Sequence, residues 1–132
     1  MKGKTCIITG ATGGIGLEAA ALLGLLGARL MLIGRSHNKG EAALARLRAR
    51  APSVAVEMHY ADLSRSDDIV RLARDLLDTA PRIDVLLNNA GAFFASREVM
   101  PDGLERSFAQ RFMGVSSRSS CEAKANPWPS SI

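Results

Sequence analysis

The sequence is short of the residues that build metal centres and disulfide frameworks. Its 132 residues include two cysteines and two histidines. Cys6 and Cys121 have no C-x-x-C spacing, which excludes a zinc ribbon and a disulfide-stapled scaffold. They are expected to be reduced thiols in the cytosol, which makes the expected location cytoplasmic. His37 and His59 leave little for a zinc site, so no metal is expected. Long hydrophobic runs are missing too. The longest mostly apolar stretch, residues 19–33, is broken by Gly27 and Arg29. It is shorter than the ~20 residues a membrane span needs. No apolar segment behind a basic start precedes Thr5, so neither a targeting segment nor a membrane contact is expected. Aromatic residues make up only 5%, and the net charge is a modest +4. Arg46, Arg48 and Arg50 read as a solvated helix face without interleaved aromatics, so no nucleic-acid partner is expected.

What is present is ordinary for a globular chain. Apolar residues are 47% and charged residues 23%, which rules out a disordered or collagen-like protein. The length suggests one domain. Along the chain, apolar runs alternate with helical stretches. Strands are predicted over residues 5–9, 29–33, 54–60 and 85–87. Helices are predicted over residues 15–26, 38–50 and 67–79. Gly27 ends the first helix, Asn38 caps the second, and Ser66 or Ser64 caps the third. Pro52 and Pro81 lie beyond helix ends, residues 101–103 form a turn, and residues 104–113 form a further helix. Strands apolar on both faces that alternate with helices indicate a parallel sheet covered by helices, hence an α/β fold.

The first turn carries the strongest signal. Thr9-Gly10-Ala11-Thr12-Gly13-Gly14-Ile15-Gly16 follows a strand and opens a helix. Such a loop brings backbone N–H groups and the positive end of the helix to a phosphate. Gly10 allows the tight turn, Gly14 the close approach of a diphosphate, and Gly16 close packing of helix on strand. The spacing is G-x-x-x-G-x-G rather than G-x-G-x-x-G.

Thr-Gly-x-x-x-Gly-Ile-Gly after the first strand resembles the short-chain dehydrogenase/reductase family. Two more motifs agree at the expected elements. Asp62-Leu63 after the third strand resembles the family's acidic-aliphatic pair around the adenine, where Asp62 would accept from the exocyclic amino group. Asn88-Asn89-Ala90-Gly91 after the fourth strand matches the family's Asn-Asn-Ala-Gly, which stabilises the sheet and passes close to the cofactor. Residues 102–110 are similar to the branch that includes retinol dehydrogenases. The resemblance covers roughly residues 3–114. It implies a Rossmann-type, doubly wound parallel sheet, here truncated after about four strands, and a dinucleotide partner. The site it implies comprises Gly10, Thr12, Gly13, Gly14, Ile15, Gly16, Arg35, Ser36, Asp62, Leu63, Asn89, Ala90 and Gly91.

The cofactor can be narrowed further. An NAD-preferring site carries an acid at the end of the second strand. Here that strand ends Ile33-Gly34-Arg35-Ser36, with no acid. Arg35 can pair with a 2′-phosphate in fork geometry, with Ser36, His37 and Asn38 as helpers, which points to NADP over NAD.

Hydride transfer to a carbonyl also needs a proton donor. In the family this is a tyrosine with a lysine four residues later. The single tyrosine, Tyr60, is followed four residues on by Ser64, so Tyr-x-x-x-Lys is absent. Tyr60 falls on the third strand and reads as a packing residue. Arg111 stands where the family pattern has a helix asparagine. No catalytic residue is assigned. After Gly114 the composition changes: residues 115–132 hold six serines in 18 positions, against six in the first 114. A domain boundary is expected near 114, with an atypical Ser/Pro-rich tail. A shifted reading frame would account for it. TCN serine codons read one base earlier become NTC, which always encodes an apolar residue, so the DNA downstream should carry an open frame with Tyr-x-x-x-Lys. The competing account is a natural truncated or splice form. A sheet stopping at the fourth strand would leave an open apolar edge, a surface for self-association. The readings at this point are an NADP-dependent oxidoreductase lineage, a non-catalytic NADP-binding module, and an inactive product.

Overall fold

A computed structural model of the chain describes residues 1–80, 82–91, 98, 99 and 103. The predicted helix over 104–113, the boundary near 114 and the tail lie outside the described residues, as do Pro81, Pro101 and Asp102 of the predicted turns.

Among the described residues seven elements alternate between strand and helix: β1 (Thr5–Thr9), α1 (Gly14–Leu25), β2 (Arg29–Gly34), α2 (His37–Arg50), β3 (Val56–Tyr60), α3 (Ser66–Thr79) and β4 (Val85–Leu87). The strands form one parallel sheet in the order β3-β2-β1-β4. The chain steps outward from β1 to β3 and then returns to the far side of β1. That is the doubly wound order expected from the sequence.

Strand alternation divides the core between two faces. Cys6 and Ile8 of β1 and Leu30 and Leu32 of β2 pack with Leu17, Ala20 and Ala21 of α1 and Ala43 and Leu47 of α2. Ile7, Met31 and Ile33 point the other way, toward Leu72 and Leu76 of α3. β1 and β2 are therefore apolar on both faces and almost wholly buried. β3 departs from that expectation. Its sequence Val-Glu-Met-His-Tyr is only partly buried, and Glu57 pairs with Arg29 of β2 at 2.5 Å. Among the described residues β3 and β4 each have a strand on one side only. At the other end of the sheet Asp84 fixes the start of β4. It accepts from the Thr5 N–H at 2.9 Å and from Lys4 at 3.0 Å, and pairs with Arg82 at 2.6 Å.

Two predicted caps are corrected. Ser36, not Asn38, caps α2 and accepts from the Lys39 N–H at 3.4 Å, because Ser36 is the last extended residue and Asn38 is already inside the first turn. α3 is preceded by extended Arg65, with no side-chain cap bond from that residue. Ser64 is drawn instead to a carboxylate, its hydroxyl donating to Asp62 Oδ1 at 2.6 Å. The third strand begins at Val56, because Val54 is tied into a turn with Ala51. Gly27 ends α1 as predicted, in the left-handed region at φ 83°.

Candidate dinucleotide site

All four strands end on one side of the sheet, and a cleft of about 190 Å³ lies there. Its walls come from the segment after each strand: Gly10 and Thr12 after β1, Ile33, Gly34 and Arg35 at β2, Ala61, Asp62 and Leu63 after β3, and Ala90 and Gly91 after β4. Residues some 80 positions apart meet because β1 and β4 are neighbours whose outgoing chains diverge, the switch point where open α/β sheets take ligands.

The glycine loop is held from below by a hydrogen-bonded knot. Asn89 donates from Nδ2 to the Thr9 carbonyl at 3.1 Å and to the Gly10 carbonyl at 3.2 Å. Thr9 Oγ1 in turn accepts from the Asn89 N–H at 3.1 Å and the Ala90 N–H at 2.9 Å. The packing leaves no room for side chains. A Cβ on Gly10, which has φ 66°, would lie 2.8 Å from Ala90 Cα. One on Gly16 would lie 2.5 Å from Asn89 Nδ2 and 2.6 Å from the Gly10 carbonyl oxygen. Gly16 thus serves close packing as expected, although its neighbours are the loop and Asn89 rather than a strand.

Gly13 and Gly14 are different, because a Cβ on either would meet nothing within 4 Å. They border open space at the start of α1. That helix start has no side-chain cap and no acid in its first turn. An open, uncapped helix start with the positive end of the helix dipole has the features of an anion site. Ile15 does not line the cleft; it is 81% exposed on the first turn of α1.

Arg35 is exposed at the cleft wall. Ser36 stands beside it, but its hydroxyl is engaged as the α2 cap and it does not line the cleft. The Asp62 turn is ordered by its own contacts. Asp62 Oδ1 accepts from the Ser64 N–H at 3.0 Å, and the Asp62 N–H donates to Asp68 Oδ2 at 2.8 Å. That backbone bond, helped by Arg71, holds the Asp68 carboxyl below the usual range. Leu63 gives the cleft an apolar wall next to Asp62.

Sequence reasoning missed several residues. Thr9 is 5% exposed and sits at the centre of the knot; it opens the glycine motif in the sequence, but nothing there gives its hydroxyl a role. A Cβ on Gly34 would collide with the Thr12 methyl and with Met58. Tyr60 is on β3 as read. Its ring stacks on His37 with centroids 3.7 Å apart, and its hydroxyl donates to Glu41 at 3.3 Å. Burial, with the neighbouring Glu41 carboxylate, pushes the phenol up, so it stays neutral near pH 7. Among the described residues no group of three or more His, Cys, Asp or Glu side chains could hold a metal ion. No described helix is long and apolar enough to cross a membrane.

Comparison with known proteins agrees with this geometry. The profile of the short chain dehydrogenases matches residues 4–123. Mouse retinol dehydrogenase 12 is 35% identical over 114 residues, which cover 86% of this chain and 36% of the mouse protein. A metagenomic short-chain oxidoreductase crystallised with NADP superposes with a TM-score of 0.72 at 34% identity, covering 86% of this chain and 52% of that one. A short-chain dehydrogenase from Sphingobium yanoikuyae in complex with NADPH gives 0.74 at 33% identity, covering 91% and 47%. The chain spans about a third of the length of the curated relatives it matches and about half that of the solved structures. By profile, sequence and fold together, the chain belongs to the short chain dehydrogenase family.

Proposed function

We propose that residues 1–114 form the NADP(H)-binding half-domain of a short-chain dehydrogenase. The observation that carries this reading is the pairing of an open, uncapped glycine turn with an arginine at the end of β2. The open space at Gly13 and Gly14 fits a diphosphate against the N–H groups of α1. Arg35 would hold the 2′-phosphate by charge and fork geometry, and no acid stands at the end of β2 to repel it. Asp62 and Leu63 would border the adenine, and Asn89, Ala90 and Gly91 would lie under the diphosphate side. The NADP and NADPH complexes of the two solved relatives support the same choice. A bound nicotinamide would supply hydride exchange with a carbonyl or secondary alcohol. The residues described here bind and orient; none is assigned the proton.

The proton donor decides between two outcomes. Tyr-x-x-x-Lys occurs nowhere in the sequence, and Tyr60 donates to Glu41 on the α2 side of β3. Binding without turnover is therefore proposed for this chain as it stands, with hydride transfer belonging to a polypeptide that also carries the tyrosine and lysine. Self-association through β4, whose only strand partner among the described residues is β1, is part of the same proposal. The thiols of Cys6 and Cys121 suit a reducing, cytoplasmic setting. The test is an NADPH titration coupled to a carbonyl-reduction assay, with size-exclusion chromatography on the same sample. Saturable NADPH binding without turnover is expected, together with species larger than a monomer. Turnover would overturn the non-catalytic reading, and no binding would overturn the cofactor assignment.

A further inference from the structure

We propose that Tyr60 and His37 form a brace that positions Arg35 and so sets the preference for the phosphorylated cofactor. The inference rests on the assignment of Arg35 to the 2′-phosphate.

The argument starts from how short the β2–α2 connection is. Gly34 ends β2 and His37 begins α2, so Arg35 and Ser36 are the whole of it. The position of Arg35 is then fixed by what holds its two flanks. Gly34 is held by the sheet, its carbonyl accepting from the Ala61 N–H at 3.0 Å. His37 is held by Tyr60, whose ring stacks on the imidazole at 3.7 Å between centroids and 25° between planes.

Tyr60 is the register partner of Gly34 and the last residue of β3, so one residue touches both flanks of the connection. Its ring belongs to neither apolar cluster of the core. It reaches over the first turn of α2 instead, where only glycine leaves space. A Cβ on Gly40 would collide with the Tyr60 hydroxyl and lie 2.6 Å from Cε1. The hydroxyl donates to Glu41 at 3.3 Å, one residue further along the same turn. The far side of Tyr60 is tied as well, because Arg71 of α3 donates to its carbonyl at 3.2 Å. Asp62, two residues on, lines the same cleft as Arg35, at the end of the neighbouring strand. Tyr60 thus links the β2–α2 connection to the segment after β3.

Arg35 itself is exposed and has no ion-pair partner among the described residues. Nothing but its backbone position aims it. A stacked pair of rings contributes modestly to energy, and its larger effect here is to restrict where the guanidinium can reach. Tyr60 and His37 are therefore positioning residues whose loss weakens NADPH more than NADH.

The test uses the full 132-residue chain and fluorescence titrations with NADPH and NADH. The variants are Arg35→Ala, His37→Ala, Tyr60→Val and Tyr60→Phe. Arg35→Ala is expected to abolish the preference for NADPH. His37→Ala and Tyr60→Val are expected to reduce the NADPH-over-NADH affinity ratio by about three- to tenfold, with NADH affinity nearly constant. Tyr60→Phe keeps the ring and restores the ratio, which a role for the hydroxyl would not. An unchanged ratio in His37→Ala, while Arg35→Ala still abolishes preference, overturns the brace and leaves the Arg35 assignment standing. Equal loss of both cofactors in His37→Ala also overturns it. An unchanged ratio in Arg35→Ala overturns the phosphate assignment and the brace with it. Should Tyr60→Val fail to fold, Gly40→Ala decides, because its added methyl displaces the Tyr60 ring while Arg35, Ser36 and His37 stay unchanged; an unaltered ratio there overturns the brace.

Discussion

Around Gly10 and Asn89 the cleft wall is half-buried and cross-linked by hydrogen bonds to backbone, whereas around Arg35 it is exposed and flanked by a pair of stacked rings. The first region offers a ligand main-chain N–H groups. What its sequence must supply is chiefly the absence of Cβ atoms, plus Thr9 and Asn89 to hold the turn. The second region offers a side chain. It can change character through one or two substitutions without touching the core. A diphosphate is common to both nicotinamide cofactors and a 2′-phosphate to only one, so the rigid region suits what is shared and the adjustable region what discriminates.

Gly16→Ala should break the rigid side most severely. The added methyl would meet Asn89 Nδ2 and the Gly10 carbonyl, neither of which can withdraw without losing the knot. A stability loss of about 1–3 kcal/mol is expected in urea unfolding, with weakened binding of both cofactors alike. Arg35→Ala should do the opposite. NADPH affinity should fall about tenfold or more while NADH affinity holds, and the urea midpoint should scarcely move, since the side chain is exposed. A matched loss of both cofactors in that variant would erase the distinction between the two regions.

Asn89→Leu sharpens the comparison from below. It removes both donors to the Thr9 and Gly10 carbonyls and should cost about 1 kcal/mol of stability, with equal effects on NADPH and NADH. The smallest expected effect is the response to acid. Asp68 is held below the usual carboxylate range mainly by the Asp62 N–H, and Asp84 mainly by the Thr5 N–H. A carboxyl depressed in the folded state stabilises fully above its unfolded pKa and loses that contribution as pH falls through the folded value. Stability should therefore stay level from neutral pH down to about pH 5 and then decline. Asp68→Asn should lower stability at pH 7 and flatten the decline. The knot at Asn89 contains no ionisable side chain, so an acid response in Asp68→Asn equal to wild type would place the pH-sensitive contacts elsewhere.

Much of this was legible in the chain itself. Alternating apolar runs give strands, and helical stretches closed by Gly27 and followed by Pro52 give helices, because these residues act through local backbone geometry. β1, β2 and the glycine turn followed directly, as did the parallel α/β class. Caps were harder. Asn38 and Ser64 have the right chemistry, but which residue is last to be extended depends on how the strand before it is held, and Ser64 found a carboxylate instead. The apolar Val54 and Ala55 extend β3 too far in the sequence; the turn to Ala51 holds Val54 out of the strand, while the Ala55 carbonyl accepts from the Leu30 N–H just ahead of it.

The sequence by itself determined the order and kind of the seven described elements, the loop that can accept a phosphate, and the lack of an acid after β2. These depend on side-chain type and local spacing. Tertiary structure alone decided that Thr9 and Asn89 lock together, that Gly40 makes room for Tyr60, and that Arg35 and Asp62 face one cleft. Those pairs lie 20 to 80 positions apart in the chain. They exist only once β3 and β4 have taken their places on opposite sides of β1 and β2, and no local pattern records that placement.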